Sequence, residues 1–144
     1  AVAATLRDGG LAVDVMPIRK VRAMDGCRMV VLGAPLYMFH WHRDAKGFLA
    51  RHRKAIEKLP VAVFALGPFF QNDEKECREA RRQLDSELAQ FPWFAPCACE
   101  VFGGRFDPTK IHFPLRSFLK KMPATDFRDW DAIRAWAGGL AGKE

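Results

Sequence analysis

Two short runs, Met29–Leu32 and Val61–Leu66, are apolar at every position. A strand wetted on one face alternates apolar and polar residues, whereas a strand buried on both faces has no need to. Such runs therefore demand a covering layer above and another below. Between them Ala45, Phe48, Leu49, His52 and Ile56 recur at three- and four-residue spacing, the signature of one helix face turned to a core. Strand, helix and strand in that succession imply parallel pairing through a right-handed crossover.

The same alternation extends along the chain. Ala1–Arg7 reads as the tail of a helix that stops at Gly9 or Gly10. Leu11–Met16 and Cys27–Gly33 read as strands, Asp44 to Ile56 as a helix, and Pro60 opens the strand Val61–Leu66. Gly67-Pro68 ends that strand. Asp73 can cap the next helix, with Glu76 three residues on, and Cys77, Ala80, Leu84 and Leu88 form its apolar stripe. Ala98–Phe102 is a further strand, closed by Gly103-Gly104. Pro114–Met122 reads as a short basic amphipathic helix, and Asp129 opens the last helix, buried through Ile133, Trp136, Ala137 and Leu140.

Length and composition narrow the function. A chain of 144 residues suits one domain, and 49% hydrophobic residues suit a packed core rather than disorder. No apolar run reaches the roughly 18 residues of a membrane span. The net charge is +6. The excess lies in the first sixty residues, at Arg19, Lys20, Arg22, Arg28 and along Arg43–Lys58. A basic face attracts phosphates, acidic lipids or carboxylated substrates, or is simply solvated. Cys27, Cys77, Cys97 and Cys99 lack zinc-knuckle spacing and read as reduced and mostly buried, which points to the cytoplasm. His40 and His42 have no third ligand nearby, so no metal is expected. The basic residues lack an interleaved stacking surface, so no nucleic acid is expected either. No phosphate-loop or nucleophile-elbow motif is present.

Val30-Val-Leu-Gly-Ala-Pro-Leu-Tyr37 followed by His40-Trp-His42 resembles the third strand and flavin loop of flavodoxin-like domains. Among these, the chain looks most like the menaquinone-dependent protoporphyrinogen oxidases. Gly33, Ala34, Tyr37, His42, Phe48 and Leu49 carry the likeness, and so do Val101–Gly104, Asp126–Trp130 and Ile133–Trp136. The resemblance implies an α/β, flavodoxin-like three-layer sandwich with a mainly parallel sheet. It also implies that the first strand and the Ser/Thr/Gly-rich phosphate loop are missing from this chain. Residues 1–144 are thus expected to form a single domain truncated at its N-terminus, in a gene that extends upstream by a strand, a loop and most of a helix.

Ligands of open α/β sheets bind beyond the carboxyl ends of the strands. The loops there hold Tyr37, Phe39, Trp41, Phe69 and Phe70, flat walls suited to an isoalloxazine ring; alternatively, these aromatics pack the loops onto the core. Gly33, Ala34 and Gly67 would admit close backbone approach. The candidate cofactor-binding residues are Ala34, Pro35, Leu36, Tyr37 and Met38 on one loop, and Gly67, Pro68, Phe69 and Phe70 on the other. His42 is expected to cap the helix that follows. The implied cofactor is FMN, held weakly or not at all without the phosphate loop. The implied function is an FMN-dependent oxidoreductase or electron-transfer protein; the alternative is a flavin-free binding or regulatory module. A quinone or an acidic small molecule is the implied substrate class. The basic, apolar stretch Thr109–Met122 suggests peripheral membrane contact, core packing or a protein interface.

Overall fold

The computed structural model describes residues 1–37, 40–67, 74–107 and 123–143. The notional capping residue Asp73 and the amphipathic stretch Pro114–Met122 lie outside them.

The centre is a sheet in the order β2-β1-β3-β4. Strands β1 (Val30–Tyr37), β3 (Val61–Leu66) and β4 (Ala98–Phe102) run parallel, with Val30 opposite Val61 and Ala62 opposite Ala98. The short β2 (His40–Trp41) folds back antiparallel on the end of β1, pairing Leu36 with Trp41 and Tyr37 with His40. A Pro inside a strand is tolerated where no ladder bond needs its N–H. The bond from Val30 N–H to the Pro60 carbonyl puts alternate residues on the β3 side, so Pro35 faces away from β3. Its carbonyl there accepts from His42 N–H at 3.1 Å.

Both sheet faces are covered, as the all-apolar runs demand. On one side Leu32, Ala34, Leu36, Val61, Val63 and Ala65 pack against α2 (Arg43–Arg51), α3 (Arg53–Ile56) and α4 (Glu74–Leu88). Phe48, Leu49 and Leu84 are sealed there. Burial of each such side chain stabilises by about 1.5–3 kcal/mol. On the other side Ala62 meets Leu6 of α1 (Val2–Asp8) and Leu140, just beyond α5 (Trp130–Gly138). This is the expected three-layer arrangement.

Helix α5 is started by Asp129, whose Oδ1 accepts from Asp131 N–H (3.0 Å) and Ala132 N–H (2.9 Å). These donors would otherwise be orphans of the first turn. Asp129→Ala should lower stability by about 1 kcal/mol, read as a fall in the urea midpoint at unchanged slope.

Five expectations need correction. Leu11–Met16 is not a strand: among the described residues no neighbour offers it a ladder, and it is tied to α1 instead, Leu11 N–H donating to the Leu6 carbonyl (3.1 Å) and the Arg7 guanidinium to the Val13 carbonyl (3.2 Å). Strand β1 begins at Val30 rather than Cys27, because Cys27 N–H closes a turn on Met24 with Gly26 at φ 75°. It then runs on to Tyr37. The single helix expected over Asp44 to Ile56 is two, broken at His52, whose ψ of 16° leaves the helical range while its ring packs on Phe48 at 4.7 Å. Cys77 is exposed, as is Cys27, and Cys97 and Cys99 are half-buried, so the cysteines are free but not core residues. In α4 the stripe starts only at Ala80.

Candidate functional site

The carboxyl ends of β1, β3 and β4 form one edge. At the end of β3, Gly67 N–H donates to the Phe102 carbonyl at 2.9 Å, tying the residue after β3 to the last residue of β4. Gly67 has φ 156°, outside the range most residues adopt, which explains a glycine there. Gly104 packs directly on it: a Cβ on Gly104 would lie 3.5 Å from the Gly67 nitrogen. Both glycines are buried.

On β1 the candidate residues divide by face. Ala34 and Leu36 are buried in the core, so only their backbone could serve a ligand. Pro35 and Tyr37 face outward, and the Tyr37 side chain is 49% exposed, unusual for the end of a central strand. Met38, Pro68, Phe69 and Phe70, together with Phe39, lie outside the described residues. Two sequence expectations change here. Trp41 is not a loop wall; it sits opposite Leu36, on the core face, and is 1% exposed. Gly33 does not admit a ligand, because the Phe64 ring fills the space a side chain would take, with Cζ 2.0 Å from a Cβ position.

His42 caps α2 as expected, its Nδ1 accepting from Asp44 N–H at 3.2 Å. Asp44 is in turn gripped by Arg19 from the turn at Ile18–Lys20, at 2.7 and 3.3 Å. The hydrogen bond from Arg19 lowers the Asp44 carboxyl below its usual range despite some burial.

Sequence reading missed Glu87. Its side chain is 7% exposed, yet it takes His40 Nδ1 on Oε1 at 3.0 Å and Lys46 Nζ on Oε2 at 2.7 Å. Gln90 adds a donor to Oε1 at 3.3 Å. Burial pushes the carboxyl up, but His40 and Lys46 together more than reverse this and keep it below the ordinary range. The available signal was positional: a carboxylate between Leu84 and Leu88, on the buried stripe.

After β4 the chain forms a small antiparallel ribbon, β5 (Arg105–Phe106) with β6 (Thr125–Asp126), pairing Arg105 with Asp126 and Phe106 with Thr125. Arg128 Nε donates to Asp126 Oδ1 at 2.7 Å. That bond holds the Asp126 carboxyl at about 2 against a usual 3.8, with burial opposing it. A carboxyl depressed on folding lends its stability above the unfolded value and loses it as the pH falls through the folded one. The ribbon should therefore be complete above about pH 4 and loosen toward pH 2. Asp126 should titrate near 2 by NMR, and Arg128→Ala should return it to the ordinary range.

The opposite sheet edge carries an open groove of about 470 Å³ beside Phe91, Phe94 and Cys97. Its Arg81 is committed to Asp85 and to the Cys99 carbonyl. Among the described residues, no three His, Cys, Asp or Glu side chains are grouped to hold a metal. No described helix is long and apolar enough to cross a membrane.

A family model for the flavodoxin domain matches residues 1–129. The chain belongs to the flavodoxin-domain family. This flavodoxin domain is also similar to proteins named protoporphyrinogen IX dehydrogenase [quinone] from Escherichia coli strains K12 and O157:H7. Each is 22% identical over 153 residues, which covers 97% of this chain and 84% of the relative. No solved structure matches it significantly. The family is a flavin-binding one in general, and the edge bearing Tyr37 is where ligands of open α/β sheets sit.

Proposed function

We propose that the chain is an FMN-dependent oxidoreductase whose flavin lies at the carboxyl edge of β1 and β3. The observation that carries this reading is Tyr37: a half-exposed aromatic ring at the end of a strand whose neighbouring residues Ala34 and Leu36 are core. Tyr37 supplies a flat wall for the ring, and Pro35 flanks it on the same face. The backbone of Ala34, Leu36 and Gly67 borders the site, and the sequence adds Met38, Pro68, Phe69 and Phe70 as further candidates. When bound, FMN supplies hydride or single-electron transfer. The protein's part is to orient the ring and limit access to it. The net charge of +6 favours an acidic or anion-bearing substrate over the role of an acidic electron carrier. A quinone acceptor is consistent with the names of the relatives.

One observation favours the second reading, a flavin-free module: Gly67 N–H, a natural donor to a ligand, is consumed by Phe102. Fluorescence titration separates the two. With no Ser/Thr/Gly-rich loop in this sequence to hold a phosphate, FMN and riboflavin should bind with similar, modest affinity. Tyr37→Ala should weaken both by up to about tenfold. A folded wild type that binds neither supports the flavin-free module.

A further inference from the structure

We propose that Glu87 is a positioning residue for the flavin edge, acting through His40 to set where Tyr37 stands. Its flavin part rests on the function proposed above; its structural part does not. The pairing of β1 with β2 lies at the sheet's rim, and the two strands share only two register pairs among the described residues. Trp41 anchors one of these pairs in the core. The other pair is Tyr37 with His40: Tyr37 is half-exposed, and the His40 side chain is 73% exposed. Left alone, such a pair would fray. Glu87 prevents this from α4, a helix remote in sequence, by taking His40 Nδ1 on one oxygen. Lys46 of α2 holds the other oxygen, and Gln90 donates beside His40.

A buried carboxylate is expensive to desolvate and persists where its partners are fixed. Here it joins α2, α4 and β2 at one point. The result is a rigid path from the helix layer to the residue opposite Tyr37. Directly opposed cross-strand residues are near neighbours, so a shift of His40 is transmitted to Tyr37.

The sequence supplies an unusually clean reporter, since Tyr37 is its one tyrosine. Protein grown with 3-fluorotyrosine should give a single fluorine resonance, which reports Tyr37 directly. Both Glu87→Gln and His40→Leu should move and broaden that resonance while the far-ultraviolet circular dichroism stays unchanged. The double variant should add nothing to either, because both break one link. Arg53→Ala, which removes a surface pair with Glu57, should leave the signal in place. FMN affinity should fall about three- to tenfold in both linked variants.

His40 is exposed, so His40→Leu keeps the test valid even where Glu87→Gln does not fold. An unmoved resonance in folded His40→Leu overturns the proposal. Additive effects of the two substitutions overturn it as well. So does unchanged FMN affinity beside a moved resonance. A wild type that binds no FMN defeats the functional reading instead, and the fluorine signal still decides whether Glu87 positions Tyr37.

Discussion

Trp41→Ala should lower the unfolding free energy by about 3–5 kcal/mol, the range for removing a large aromatic from a sealed core. Trp41 is 1% exposed and packs in the cluster with Leu36, Ala45 and Phe48. Alanine would leave a void among side chains held by two separate elements, and such a site closes poorly. Urea unfolding followed by circular dichroism measures the loss. Trp41→Phe should cost far less: it retains most of the ring, and Trp41 Nε1–H finds no acceptor among the described residues, so no hydrogen bond is lost. An equal cost for the two variants would show that the indole N–H, not ring volume, matters.

Gly33→Ala should also be strongly destabilising, by about 1–3 kcal/mol, and Gly33→Val by more. The Phe64 ring lies across Gly33 on the neighbouring strand, opposite it in register. The ring has little room to withdraw, because Phe102 and Trp136 stand 6.1 and 5.8 Å away, centre to centre. Interiors packed at crystal density transmit such an overlap instead of absorbing it. Adding Phe64→Leu to Gly33→Ala should restore part of the loss, since the shorter side chain vacates the overlap. If the pair proves as unstable as the sum of its parts, the Phe64 contact is not what excludes a side chain at position 33.

What the sequence made readable was whatever repeats along it. The segments Val61–Leu66 and Ala98–Phe102 became strands within the bounds expected, and of the last helix's expected stripe Ile133, Ala137 and Leu140 are buried while Trp136 is half-buried. Asp129 and His42 cap the helices they precede. Features that depend on a partner far away in sequence were not readable. Leu11–Met16 has strand composition, but a strand is defined by the neighbour that completes its hydrogen bonds. Trp41 and Tyr37 look alike in a list of loop aromatics, and only the register that sets Trp41 opposite Leu36 sends one inward and the other outward. Gly33 reads as a permissive backbone position until Phe64, thirty-one residues on, fills it. Glu87 belongs to the same class: its meaning comes from His40 and Lys46.

Leu6 and Leu140 share one cluster although they come from opposite ends of the sequence. The layer they build is therefore the last to close during synthesis. At about 5–20 residues per second, α1 is polymerised roughly 7–27 s before Leu140. The strands and the α2–α4 side can assemble meanwhile, with one sheet face still bare. For that interval the nascent chain presents a greasy half-built surface, the kind of target that chaperones recognise. Slow codons placed between α4 and α5 would prolong the exposure.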